Sequence, residues 1–159
     1  MLTEAQAILV KAEIDADPVL SAFPLTSDGA FAIKEALNLQ DVPDFTVWKP
    51  LVSIADVGST FDAAELANRT TGDNTKLSTF ANWLDEVTPS RPDHREFFDD
   101  IFSASGGENT RAALLSLWKR LALRVERVLA TGTGSDASPA TMDREGTISY
   151  QDVIQARAS

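Results

Sequence analysis

The 159-residue sequence predicts a mainly α fold: a compact helical bundle with a short extended or β segment and an extended C-terminal arm. Three observations carry that reading. Apolar residues recur at three- and four-residue spacing in several separate stretches, the period of a helix face. Residues 44–52 (DFTVWKPLV) are aromatic and β-branched with Pro50 inside, which fits an edge strand better than a helix. Residues 131–141 (TGTGSDASPAT) are too poor in long apolar side chains to build a core. The expected division is a helical domain over 1–130 and an arm over 131–159 that ends in a short helix or strand.

The elements follow in order. Thr3 with Gln6 forms a capping box that opens a helix to about Asp15, with Leu2, Ala5, Ile8, Leu9 and Ala12 as its stripe. Asp17-Pro18 ends it. Ser27-Asp28 caps a second helix through Ala30, Ile33 and Leu37. After the extended run, Ser53 to Val57 makes at most one turn, and Thr60 caps a short helix near 61–67. Asn74 or Thr75 starts a helix whose stripe is Leu77, Phe80, Leu84 and Val87. The TPSRP run at 88–92 is a stiff break, and Asp93 caps a helix at 95–102 rich in phenylalanine. Asn109 then caps one long amphipathic helix to Ala130, about 30 Å at 1.5 Å per residue.

Composition narrows the functional classes. There is no cysteine, which excludes disulfides, thiolate catalysis and cysteine-based zinc sites. No stretch approaches the roughly 18 apolar residues of a membrane span, and the N-terminus lacks a secretory pattern. The net charge of −10 opposes binding to nucleic acid across the surface. The run Gly132-Thr133-Gly134-Ser135 has no following Gly-Lys-Ser/Thr and trails a predicted helix, so it is no phosphate loop. His94 is the only histidine; Asp93 as a cap and a solvated acidic face explain its surroundings without a metal. No Gly-x-Ser-x-Gly elbow exists. The expectation is a protein that is not an enzyme and uses no cofactor or metal.

The long predicted helix concentrates the candidate interaction residues. Five of the 14 basic residues (Arg111, Lys119, Arg120, Arg124, Arg127) lie in it, against one acid, Glu126. A basic stripe on an acidic chain can pair with another copy, or it can be an ordinary solvated face. Leu115 and Leu123 fall outside the main apolar arc, which marks a second contact with either another part of the domain or another subunit. In the arm, Thr131, Gly132, Thr133, Gly134 and Pro139 supply extended backbone. Ile148, Tyr150, Val153 and Ile154 are the expected docking side chains.

The strings FTVWKPLVSIADV, ELANRTTGDNTKL, RPDHREFFDDIFS, NTRAALLSLWKRLALRVERVLATGTGSDASPAT and EGTISYQDV resemble a family of small virion proteins of tailed bacteriophages. The resemblance covers roughly residues 26–155 and is most distinctive from Arg111 through Val153. It implies a head-to-tail connector (adaptor), a homo-oligomeric ring between portal and tail, made in the host cytoplasm and resident in the virion neck. Portal and tail or neck proteins would be its partners, with DNA passing through the pore and no sequence-specific contact to it. Asp143-Arg144 departs from the more apolar arm expected there. A capsid decoration or tail-completion protein is the alternative within the virion. From another class, the acidity admits a DNA-mimic inhibitor of a host DNA-processing enzyme.

Overall fold

The computed structural model describes residues 1–103 and 106–159. In chain order the first elements are α1 (Glu4–Ala16), α2 (Pro18–Ser21), α3 (Ser27–Leu37), β1 (Thr46–Trp48) and β2 (Val52–Ser53). Then come α4 (Ile54–Ser59), α5 (Ala63–Ala67), α6 (Thr71–Trp83), β3 (Glu86–Val87), α7 (Pro92–Phe102) and α8 (Glu108–Trp118). The chain ends with β4 (Lys119–Leu121), α9 (Arg124–Val128), β5 (Ala130–Thr131), β6 (Thr141–Met142) and α10 (Tyr150–Arg157). Among the described residues strands occur only as two-stranded pairs, β1 with β4, β2 with β3 and β5 with β6. The mainly α expectation holds.

The chain divides into two units, Met1–Val47 with Leu121–Ser159, and the inserted Trp48–Arg120. In the first, α1, α3 and α10 pack around Val10, Ile14, Ile33, Leu37, Val153 and Ala156, joined by Val125 and Leu129 of the α9 segment. Thr3 and Gln6 make the anticipated capping box of α1. Thr26 rather than Ser27 caps α3, and Asp17, at the end of α1, caps the unanticipated turn α2. The second unit has its own core of Trp48, Val57, Val87, Phe98, Ile101, Phe102, Leu114 and Trp118. Phe80 stacks on Phe97 at 4.4 Å and meets Phe98 edge-on at 5.3 Å, the offset and tilted geometries aromatic rings prefer. Helix α6 starts at Thr71 and stops before Leu84; Val87, predicted on its stripe, instead pairs with Val52 across β2 and β3.

Two expectations are overturned. The single helix over 109–130 does not exist. Helix α8 ends at Trp118, and Lys119 is extended with φ −103° and ψ 156°. The cause is pairing that a helix would forfeit. The Trp118 carbonyl accepts the Lys49 N–H at 2.8 Å, the Ala122 N–H donates to the Phe45 carbonyl at 2.8 Å, and the Ala122 carbonyl accepts the Asp41 N–H at 3.0 Å. Leucine and arginine favour helix by only tenths of a kcal/mol each, so a ladder with buried Trp118 and Ala122 wins.

The arm over 131–159 is likewise part of the first unit. Ala130 and Thr131 pair with Met142 and Thr141 in an antiparallel hairpin, Ala140 is fully buried, and α10 is a wall of the core. Ser149 and Asp152 cap α10 as a box. Residues 131–141 gain order from outside themselves: the Thr46 N–H donates to the Gly134 carbonyl at 2.7 Å, and the Ala140 N–H donates to the Thr46 carbonyl at 2.9 Å.

Candidate functional site

The basic stripe is divided between the two units, with Arg111, Lys119 and Arg120 in the second and Arg124 and Arg127 in the first. Arg111, on α8, donates to the Phe102 carbonyl within the second unit. Lys119 and Arg120 lie half-buried in β4. Leu115 is exposed on α8, whereas Leu123 packs on the core of the first unit and donates its N–H to Glu126 as α9 begins. Arg124 reaches Glu13 at 2.8 Å and Asp17 at 2.7 Å. Arg127 reaches Glu13 at 2.6 Å and the buried Asp41 at 2.8 Å. These two arginines therefore tie α9 to α1 and to the turn after α3 within one chain. The Arg124 hydrogen bond, helped by the Leu20 and Val19 amides, holds the Asp17 carboxyl below the usual aspartate range.

The expected arm residues divide in the same way. Ile148 and Val153 are buried in their own core, so neither is available to a partner. Gly134 has φ +65°, and a Cβ there would stand 2.1 Å from the Phe45 ring. Thr131, Gly132 and Thr133 are exposed, with Thr133 Oγ1 donating to the Ser138 carbonyl, while Pro139 is buried. Only Tyr150 and Ile154 present large side chains outward, 40% and 45% exposed.

Those two residues lie on a built surface. Helices α3 and α10 run antiparallel, fixed at both ends by polar contacts. At one end Asn38 Nδ2 donates to the Ile148 carbonyl and Asn38 Oδ1 accepts the Ile148 N–H, both at 2.9 Å. At the other the Arg157 guanidinium donates to the Pro24 and Phe23 carbonyls at 3.0 and 2.8 Å. Gly29 lets the chain before α3 approach, since a Cβ there would meet the Pro24 carbonyl at 2.1 Å. Two grooves follow the helix pair. One, about 390 Å³, is lined by Phe31, Lys34, Glu35, Asn38 and residues 147–150. The other, about 350 Å³, is lined by Leu25, Thr26, Ser27, Ala30, Ile154, Arg157 and Ala158. Leu25 is 84% exposed and Phe31 52%. The sequence reading missed both, although Phe31 sits off the Ala30, Ile33, Leu37 stripe, the same signal that singled out Leu115.

The buried carboxylates serve the backbone. Burial alone would push the Glu65 carboxyl up, but the Thr110 hydroxyl with the Thr110 and Asn109 amides holds it below the glutamate range. It sits at the start of α8, where an anion is favoured. Asp152 is similar: burial opposes its charge, and the Ser149 and Leu2 amides outweigh it. His94 Nδ1 accepts the Thr88 N–H at 3.0 Å, and burial pushes its pKa down from 6.5. Among the described residues no three histidine, aspartate or glutamate side chains are placed to hold a metal, and no helix is long and apolar enough to cross a membrane. One feature suited to recognition is the groove-lined α3–α10 face. No family model, curated protein or solved structure matches this chain.

Proposed function

We propose that this protein is a structural subunit of a tailed-phage particle, a head-to-tail connector that assembles in several copies between portal and tail. The observation that carries the reading is the α3–α10 face. Four large apolar side chains, Leu25, Phe31, Tyr150 and Ile154, stand exposed along a helix pair whose own packing is complete. Apolar residues displayed on a rigid scaffold favour a protein partner, because their burial is gained without ordering the backbone first. The phage-like strings in the sequence supply the particle, and the net charge of −10 suits a wall past which DNA must move without sticking. Partner recognition rests on this preformed face rather than on a tether that folds when it docks.

The test is the particle itself. Purified virions should contain the protein in fixed ratio to the portal, with its density at the neck, and its loss should leave filled heads and unattached tails. Density over the shell instead would assign capsid decoration, and density at the tail end would assign tail completion. Absence from virions, with tight binding to a DNA-processing enzyme, would replace the connector reading by the DNA-mimic one.

A further inference from the structure

We infer that the groove between Leu25 and Ile154 receives Trp83 of a second copy of this chain, giving a head-to-tail contact. The contact names the partner of the docking face proposed above and so rests on that reading. Trp83 ends α6 and is 81% exposed, although a tryptophan side chain can bury on the order of 150–250 Å². Helix α6 has no fully buried residue, and its inner contacts are the half-buried Leu77 and Phe80. The indole is thus not needed by its own core. Asp85 and Glu86 follow it, both exposed and with no ion-pair partner among the described residues.

The groove is the chemical complement. Its floor and rim are Ala30, Leu25 and Ile154, and its one charged lining residue is Arg157. That guanidinium is bonded to two main-chain carbonyls and meets no carboxylate among the described residues. An incoming Trp83 would place Asp85 and Glu86 beside an uncompensated cation. Pairing of this kind matters for a chain of net charge −10, since two copies repel at long range and need local opposite charges to meet. The volume of about 350 Å³ lies in the range of sites that enclose a ring-bearing group. Knob and groove are different surfaces, so the contact is heterologous and propagates from copy to copy.

Sedimentation of the purified full chain tests this. The wild type should associate reversibly with concentration, and iodide quenching of tryptophan emission should fall as it does, because Trp48 and Trp118 are already buried. Trp83→Ala should weaken association about thirtyfold or more, as loss of a central anchor does. Ile154→Asp should do the same, and circular dichroism should show both exposed-site variants folded. An equal mixture of the two variants should form a heterodimer and nothing larger, since only one intact knob and one intact groove remain. A wild type monomeric to about 0.5 mM, a Trp83→Ala variant that associates normally, or a mixture that fails to pair would each overturn the contact. A virion-associated protein that ignores its own copies would refute this contact alone. A self-associating protein absent from virions would refute the connector reading alone.

Discussion

Arg124 and Arg127 show how a charged residue changes meaning once its neighbours are known. Both sit within a few ångströms of Glu13, and Asp17 and Asp41 complete the set, so their charges are paired within one chain. Arg124→Ala is therefore expected to lower Tm while leaving sedimentation unchanged; the reverse pattern would place the residue in an interface. Gly134 is a position of backbone strain for any other residue. Gly134→Ala should cost at least about 1–2 kcal/mol from the left-handed conformation alone, with more from the Phe45 contact, and Tm should fall by several degrees. The titratable groups set two pH windows. His94 is held below its ordinary 6.5 in the fold, so the unfolded chain binds the extra proton first. Stability should decline as pH falls below about 6.5, and His94→Gln should flatten that part of a denaturation series. Asp152 and Glu65 are lowered instead, and their contributions are present at neutral pH and lost as pH drops through the carboxylate range.

At the level of elements, some local signals were legible and long-range ones were not; the α1 stripe was misplaced, since Ile8 and Leu9 are exposed while Ala7, Val10 and Ile14 face the core. The Thr3 cap, the α3 stripe and the extended character near Thr46–Trp48 are written in adjacent residues and are found where expected. The break after Trp118 is not, because its cause lies in amides and carbonyls at Phe45, Asp41 and Lys49, far away in sequence. The arm misled for a related reason. Its glycines and serines cannot build a core, yet they can line one that other segments supply, with Ala140 against Val47. Of the site, Tyr150 and Ile154 were legible, while Leu25 and Phe31 acquire meaning only once α10 lies beside α3. A chain truncated after Ala130 makes this testable. It loses Ile148, Val153 and Ala156 from the core. At roughly 1.5–3 kcal/mol per large buried aliphatic, the deficit rivals much of a typical domain's 5–15 kcal/mol. The truncated protein should lose cooperative unfolding and dispersed methyl resonances in the first unit, instead of remaining folded.

Among the described residues the first unit carries the core of α1, α3 and α10 and a smaller cluster of Val47, Ala122 and Ala140, the second unit carries its own aromatic core, and no clustered residue is shared between the units. Damage to one core should therefore be felt there first. Phe98→Ala, which removes a ring touching Phe61, Phe80, Phe97 and Trp118, should cost about 3–5 kcal/mol. Amide exchange should accelerate across Trp48–Arg120 while amides of α1 and α10 keep most of their protection; uniform loss would mean that the units open together. The Leu2 amide is bonded to Asp152, and Gln155 donates to the Leu2 carbonyl, so residues 150 positions apart close one helical layer. During translation, the inserted segment has all its own contacts as soon as it leaves the ribosome, whereas α1 waits, incomplete, until α10 is made. The growing chain must keep the apolar faces of α1 and α3 from straying throughout that interval, and a chaperone acting on this protein would find its client sequence there.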